Sequence, residues 1–574
     1  MRMIIQNRIT SKEVIIAMSA ILGVMTSVVT SDHVVNIAAK VLIVLLIEEL
    51  LIILLYYRDK IAEKIKHNKL LCVLTFLMVF ILGCRLIRFI PKTYVSNYSR
   101  EVYRLLLLMG IVAFTTALFL IFVIEAKIHI VFAFLAGIVG LIFMLVFPVG
   151  QVPDEVLHAQ CAYRISNKML GLDDINPKIG YYERQTELDY PELAITVGEY
   201  QRDWFWSELG KKTSDTDIVV AKDIKIASVP WEYTYYIPAL GISLGRVIGL
   251  NASTTYLLGR MFNFVFYIAL ATFIMWRIPF GKELLFTILM FPVSIQQTMS
   301  CSYDMIVILL SLLVISEALH LVIDKDELNM RGIIRGIAIM VIAFALLFPI
   351  KSHAYFAVGL MFLYVWMHYK NITESKVLKC IRVLIIAGVI VTVGVFAIAQ
   401  IYPLSENPAY IYWAKENAYS IGYIINNPKN TVMVIANTVN AYWFGYYSMM
   451  ISGPLGWLNV GIDNSVLVGE TVLLLICIVG FPKNVVERIS KADRIVWLII
   501  FGICMLCIIC GMWLQWTPIS HNTIEGVQGR YFTPIVILPM LALAASKIKF
   551  RNECMKLVPV VSTFFAIIAY TSVI

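Results

Sequence analysis

The stretch "FPVGQVPDEVLHAQCAYRIS" puts two acids, Asp154 and Glu155, and a histidine, His158, directly behind an apolar run. Pro153 suits the first position of a helix, and the helix dipole favours carboxylates in a first turn by about 0.3–1 kcal/mol. His158 falls one turn beyond Asp154 on the same face. Two readings are open. The acids could complement a helix end at a wet interface, or one carboxylate could act as a general base that takes a proton from a hydroxyl.

Other stretches carry complementary groups. "FPVSIQQTMSCSYDMI" places Tyr303 and Asp304 at a bend, where Asp304 either caps the next helix or holds an acceptor hydroxyl. "FPIKSHAYF" carries Lys351 and His353. A lysine at the outer end of a span either snorkels to headgroups or neutralises a phosphate. "HNTIEGVQGRYFTP" carries Gln528 and Arg530 beside two glycines. Arginine grips phosphate through two parallel hydrogen bonds, and glycine allows close backbone approach. "SGPLGWLN" adds Trp457, and Arg246 and Arg260 are further phosphate candidates. Together these side chains could move a group from a lipid phosphate to a hydroxyl. The acid takes the proton, the cations offset charge on the leaving phosphate, and the rings offer faces to sugars. No ligand spacing demands a metal, so no cofactor is expected, although Asp154, Glu155 or Asp304 could serve a divalent ion.

The elements that must position these groups are membrane helices. The 574 residues are 60% hydrophobic and 15% charged, against about 25% charged for a soluble domain. Spans of about 20 apolar residues recur: roughly 13–30, 34–56, 69–89, 104–124, 128–148, 253–276, 281–299, 303–323, 332–350, 353–368, 380–401, 465–483, 495–514, 530–547 and 557–573. A piece near 431–450 reads as re-entrant or interfacial. The first run leads into a second span without a cleavage site, so no signal peptide is expected. The net charge of +9 sits in short loops, which points to lipid topology and not to nucleic acid. Basic loops near residues 58–69, 370–382, 483–494 and 547–556 place the N-terminus inside. The two long loops, about 149–252 and 402–464, then face outward with every stretch quoted above. No P-loop or dinucleotide motif appears on the inner side. The cysteines form no disulfide framework, and Cys504, Cys507 and Cys510 read as small packing residues. The spans themselves read as nearly free of ionisable residues.

The segments "PDEVLHAQCAYRIS", "YYIPALGISLGRVIGL", "LGRMFNFVFY", "FPVSIQQTMSCSYDMIVILLSLL", "IKSHAYF", "GPLGWLN" and "GVQGRYFTP" resemble, in order, a bacterial membrane-protein family known as domain of unknown function 2142. The resemblance covers roughly 128–547. That family in turn looks like the GT-C glycosyltransferases, which use polyprenyl-phosphate sugars and carry a catalytic acid in the first outer loop. The resemblance therefore implies an all-α polytopic, GT-C-like helical bundle of residues 128–574 behind an accessory N-terminal bundle of residues 1–127. It implies a multi-pass enzyme of the bacterial cytoplasmic membrane with its site outside. It implies an inverting transfer from a polyprenyl-phosphate sugar to an envelope glycan or its lipid-linked precursor, such as a polysaccharide or teichoic acid. Asp154 matches the base, with Glu155 in support. Arg530, Lys351, His353, Arg246 and Arg260 are expected at the donor phosphate, and His158, Tyr303, Asp304, Gln528 and Trp457 at the substrates. A transporter or flippase, a polymerase or ligase, and a scaffold are the alternatives. The first of these calls for ionisable residues lining a path at mid-membrane depth.

Overall fold

Residues 97–172, 181–187, 199–213, 218–221, 231–369, 408–546, 548 and 552–573 are described by the computed structural model, with isolated positions between 57 and 81. The expected spans 13–30, 34–56 and 380–401 lie outside the described residues, and 69–89 is described only at isolated positions. The chain divides into two compact units, 1–127 with 203–207, and 128–202 with 208–574. In the first, α1 (Asn97–Leu118) runs into a single π turn, Phe119–Val123.

The second unit is an all-α polytopic membrane bundle. Its helices are α2 (Ile128–Val146), α3 (Glu155–Met169), α4 (Tyr236–Val247), α5 (Ala252–Arg277), α6 (Lys282–Met290), α7 (Pro292–Thr298), α8 (Asp304–Ile323), α9 (Met330–Leu347), α10 (Leu360–Tyr369), α11 (Pro428–Ile451), α12 (Asn464–Val479), α13 (Lys491–Trp516) and α14 (Asn552–Thr571). Two short antiparallel pairs, β1 (Tyr181–Arg184) with β2 (Ile218–Ala221) and β3 (Tyr410–Ile411) with β4 (Glu416–Asn417), lie in the long loops. Among the described residues α2, α5, α8, α9 and α13 are long and apolar enough to cross a membrane.

Burial ranks them. The most apolar window of α8 is 89% buried, whereas that of α13 is 22% buried. A helix apolar on every face belongs in the core when protein surrounds it. Thus α8 is the axis of the bundle, and α13 lies at its edge. Small residues let neighbours approach. A Cβ at Gly241 of α4 would stand 2.3 Å from the Leu258 carbonyl oxygen of α5, and one at Gly245 would stand 2.9 Å from the Thr255 backbone. Glycines four apart bring helix backbones together without lost side-chain entropy.

Several expected spans differ from the structure for local reasons. The run 281–299 is two helices, because Phe291 before Pro292 takes an extended conformation and Pro292 opens a new helix. The run 530–547 holds a 3-10 turn and the short helix Ile537–Ala542, since Pro534 and Pro539 remove helical donors. The run 353–368 begins as 3-10 turns before α10. The piece near 431–450 lies within one continuous helix, α11, which is compatible with the interfacial reading. The spans also carry buried ionisable residues, contrary to expectation. Arg277 of α5 grips Glu317 of α8 through two contacts of 2.5 Å, and Glu470 of α12 accepts from Ser562 of α14.

Successive crossings alternate in direction, α6 and α7 together making one of them. The end of α2, the start of α5, the end of α7, the start of α8 and the ends of α9 and α13 therefore gather at one end of the bundle. Lys325, Arg331, Arg335, Lys483, Lys491 and Arg494 fall at the opposite end.

A buried ion pair ties the first end together. Glu155 opens α3 and Arg260 lies on α5, both side chains fully buried. Arg260 Nε donates to Glu155 Oε1 at 2.6 Å and its Nη2 to Oε2 at 2.5 Å. The same guanidinium donates to the carbonyls of Phe147 and Pro148, at 2.5 and 3.0 Å. Glu155 also accepts from the backbone N–H of Gly150 at 2.8 Å and of Cys301 at 3.1 Å. One ion pair thus ties together the exit of α2, the turn before α3, α5 and the bend before α8. The expected roles of Glu155 beside the base and of Arg260 at a phosphate are corrected accordingly: each has its hydrogen-bonding capacity spent on the other and on backbone.

Removing one member should strand the other as an uncompensated buried charge. Arg260→Met is expected to cost about 3–5 kcal/mol, read as a large drop in thermal unfolding temperature in detergent. The double variant Glu155→Leu/Arg260→Met is expected to recover part of that loss. A single variant as stable as the native chain would contradict this role.

Candidate functional site

The backbone turns sharply between α2 and α3. Asp154 sits at the N-cap of α3 with φ 63°, in the left-handed region, and its side chain makes no capping hydrogen bond. Left-handed backbone is tolerated by Asp and Asn better than by most residues. The turn aims the carboxylate away from the helix it precedes. It meets Arg530 instead, whose Nη2 donates to Asp154 Oδ2 at 2.9 Å. The helix-end reading of Asp154 therefore gives way to a long-range contact between residues 376 positions apart.

Arg530 is held by a close backbone contact. The 3-10 turn Gly529–Phe532 lies directly on α11. A Cβ at Gly529 would stand 2.0 Å from the carbonyl oxygen of Tyr446 and 2.6 Å from the Met450 nitrogen. The glycine expected to admit a phosphate admits a helix.

A second carboxylate completes the cluster. Asp304, in the first turn of α8, lies 3.6 Å from Arg530 Nε through Oδ2 and 2.6 Å from Lys351 Nζ through Oδ1. Lys351 occupies a 3-10 turn after α9 and also has a left-handed backbone, φ 50°. Strained conformations persist where surroundings over-determine them, and they cluster at functional sites. The ammonium lies 4.2 Å from the ring centre of Tyr531 and 5.6 Å from that of Tyr303. Burial works against its charge, but Asp304 outweighs that and holds the lysine above its ordinary pKa. The order in space is Asp154, Arg530, Asp304, Lys351: acid, base, acid, base.

His158 stands beside them. Its Nδ1 is 2.9 Å from the Tyr235 hydroxyl, and its ring meets Tyr303 edge-on at 4.8 Å. Burial pushes the imidazole down to about 4 against the pull of Asp304 and Asp154, so it is neutral near pH 7.

These groups line one cavity of about 610 Å³, a size that holds a small ligand. Asp154, His158, Tyr303, Asp304, Lys351 and Arg530 form its polar end. The rest of the lining is a largely apolar wall that comes mostly from α13, from Ile503 to Leu514. Leu506 on that wall is 57% exposed, so the same helix face bounds the cavity and the bundle's surface. The sequence did not single out Trp231 or reveal the α13 wall, whereas Tyr355 belongs to the "FPIKSHAYF" stretch that also supplies Lys351. Tyr531 was signalled only by its place beside Arg530.

The remaining candidates lie elsewhere. Arg246 donates to Ser166 at 2.9 Å and Asn167 at 2.8 Å and covers the Tyr163 ring, tying α4 to α3 and not reaching a phosphate site. The Trp457 indole donates to the Gly150 carbonyl at 2.6 Å, which braces the turn before Asp154. Gln528 does not line the cavity, and the side chain of His353 lies outside the described residues. Among the described residues no group of three or more His, Cys, Asp or Glu is placed to hold a metal ion.

Compared with known families, residues 134–539 match the family described as predicted membrane protein, DUF2142. Neither the curated proteins nor the solved structures contain a match.

The neutral His158 has a consequence for acid stability. Its folded pKa, about 4, lies below the unfolded value of about 6.5. Between the two, the unfolded chain binds a proton that the folded chain refuses, so stability falls as pH drops through that window. From pH 7 to 4.5 the native protein is expected to lose roughly 2–3 kcal/mol more than His158→Phe, measured by thermal melts in detergent. Parallel pH profiles for the two would contradict the assignment.

Proposed function

The chain belongs to the DUF2142 family of predicted membrane proteins, and from that premise we propose that it is a membrane glycosyltransferase. It takes a sugar from a polyprenyl-phosphate donor and attaches it to a hydroxyl of a cell-envelope glycan or its lipid-linked precursor. The observation that carries this reading is a single cavity with an exposed carboxylate and two cations at one end and a largely apolar lining elsewhere. A lipid phosphate has that polarity: a charged head on a hydrocarbon tail.

In this reading the donor's phosphate lies against Arg530 and Lys351, its tail follows α13, and Asp154 faces the acceptor. The acceptor hydroxyl gives its proton to Asp154 while its oxygen forms a bond to the anomeric carbon. The bond from that carbon to the phosphate oxygen breaks, and its electron pair stays with the phosphate. The phosphodiester becomes a monoester and gains a negative charge, which the two cations stabilise more strongly than they did in the donor. Attack from the side opposite the leaving group inverts the anomeric centre. Asp304 keeps the cations in place, and the neutral His158 and Tyr303 provide a hydrogen-bonding and stacking edge for the sugar.

The basic residues at the end opposite the cavity support an outward-facing site, since short basic loops stay in the cytoplasm. A bacterial cytoplasmic membrane is the setting that fits this chemistry. Arg277 and Glu317 are spent on each other, which weighs against a carrier that moves charge past them.

The test is sugar transfer by the purified full chain in lipid nanodiscs, with a panel of polyprenyl-phosphate sugars and envelope glycan as acceptor. Asp154→Asn is expected to lower turnover by about 10²–10⁴-fold with donor binding retained. Transfer close to the native rate would remove Asp154 as the base.

A further inference from the structure

The cavity's charged end is balanced. Asp154 and Asp304 contribute two negative charges and Arg530 and Lys351 two positive ones, while His158 is neutral. An incoming anion therefore finds no spare positive charge and must take a cation from a carboxylate. The two carboxylates are unequal in what that would cost. The Asp304 side chain is 12% exposed and is held by Lys351 at 2.6 Å, so losing its cations would strand a buried charge. The Asp154 side chain is 53% exposed, and water can solvate it once it is released. Its hold on Arg530 is a single hydrogen bond. Meanwhile Arg530 Nη1 makes no hydrogen bond and Nε reaches Asp304 only at 3.6 Å, although the side chain is only 5% exposed. A buried guanidinium with unused donors costs free energy that an oxyanion at the site would recover.

We propose that Arg530 is exchanged between Asp154 and the phosphate of a lipid-borne donor, so that donor binding itself frees Asp154. This rests on the reading above, and it sets an order. Before the donor arrives, Asp154 Oδ2 is occupied by a guanidinium N–H. Once phosphate oxygens occupy Nη1 and Nη2, the carboxylate is released to turn to the acceptor. The acceptor is thus activated only when there is a sugar to receive it. Asp304 does not exchange, and it acts as a positioning residue for both cations.

Competition predicts that the apparent base opposes donor binding. Native protein and variants in nanodiscs are titrated with decaprenyl phosphate, and bound lipid is counted by native mass spectrometry. Asp154→Asn keeps the shape and suits a left-handed backbone. It is expected to bind the lipid roughly tenfold more tightly than native, about the worth of one charge-assisted hydrogen bond. Asp154→Gly, which removes the acceptor altogether, is expected to bind at least as tightly. Glu232→Gln removes one carboxylate that pairs with Lys168 and Arg164 and not with Arg530, and is expected to stay within twofold of native. Equal affinity of native and Asp154→Asn would overturn the exchange while leaving the donor-phosphate reading standing. An equal gain in Glu232→Gln would reduce the effect to long-range charge and also overturn it. Absence of lipid binding in every variant would remove the donor-phosphate reading itself. Inorganic phosphate, which cannot use the apolar wall, is expected not to displace the lipid. Displacement by it would reassign the ligand as free phosphate and overturn the lipid-borne donor.

Discussion

The Arg260 guanidinium and the Glu155 carboxylate are fully buried where the start of α3 meets α5, and the geometry of the charged end follows from their pairing. Two ions buried at one depth are tolerated only when their lone pairs and protons are filled. Here they are filled by the chain segments that need fixing: the carbonyls of Phe147 and Pro148, and the N–H groups of Gly150 and Cys301. The turn that swings Asp154 into a left-handed conformation is thereby clamped on both sides, and Trp457 braces it from a third. Asp154 can be half exposed and still precisely aimed because its neighbour is completely buried.

The same division of labour recurs at the other members. Arg530 reaches the cavity from a turn pressed against the backbone of α11, a contact that only glycine at 529 permits. Lys351 reaches it from a strained turn after α9, and Asp304 from the first turn of the helix that forms the axis of the bundle. Rigid elements supply each group, and none depends on the long segments of the loops. Such placement keeps a charged cluster in register at small entropic cost.

Much of this was legible in the residues. Asp154, His158, Tyr303, Asp304, Lys351 and Arg530 each stand where an apolar run meets a polar turn, and alternation of helices must bring such turns to one end. The sequence misled where chemistry looked alike but geometry did not. Asp154 and Glu155 are adjacent acids, yet Asp154 takes a left-handed backbone just outside the helix that Glu155 opens, and one faces the cavity while the other faces the core. Arg246 and Arg260 looked like phosphate ligands because an arginine's partner is not visible in its own segment. The glycine beside Arg530 signalled a close approach correctly but not what approaches. The apolar wall from α13 was illegible, because a face that borders a cavity and a face that borders lipid require the same residues. Proline set the remaining discrepancies: hydropathy runs continuously through Pro292, Pro534 and Pro539, and hydrogen bonding does not.

In the proposed reading that wall would also fix the units in which a ligand of this cavity is counted. Leu506 is at once a cavity residue and an exposed one, on a helix that packs little of its surface against the rest of the chain. A molecule that comes in along α13 is dissolved in the bilayer, so its effective concentration is a mole fraction among lipids and not a molarity. Encounter then depends on diffusion in two dimensions, and diluting the aqueous phase leaves it unchanged. A hydrophilic partner that approaches the exposed side of Asp154 obeys ordinary solution kinetics. Two reactants that meet here would be counted on different scales, one per area of membrane and one per volume of water.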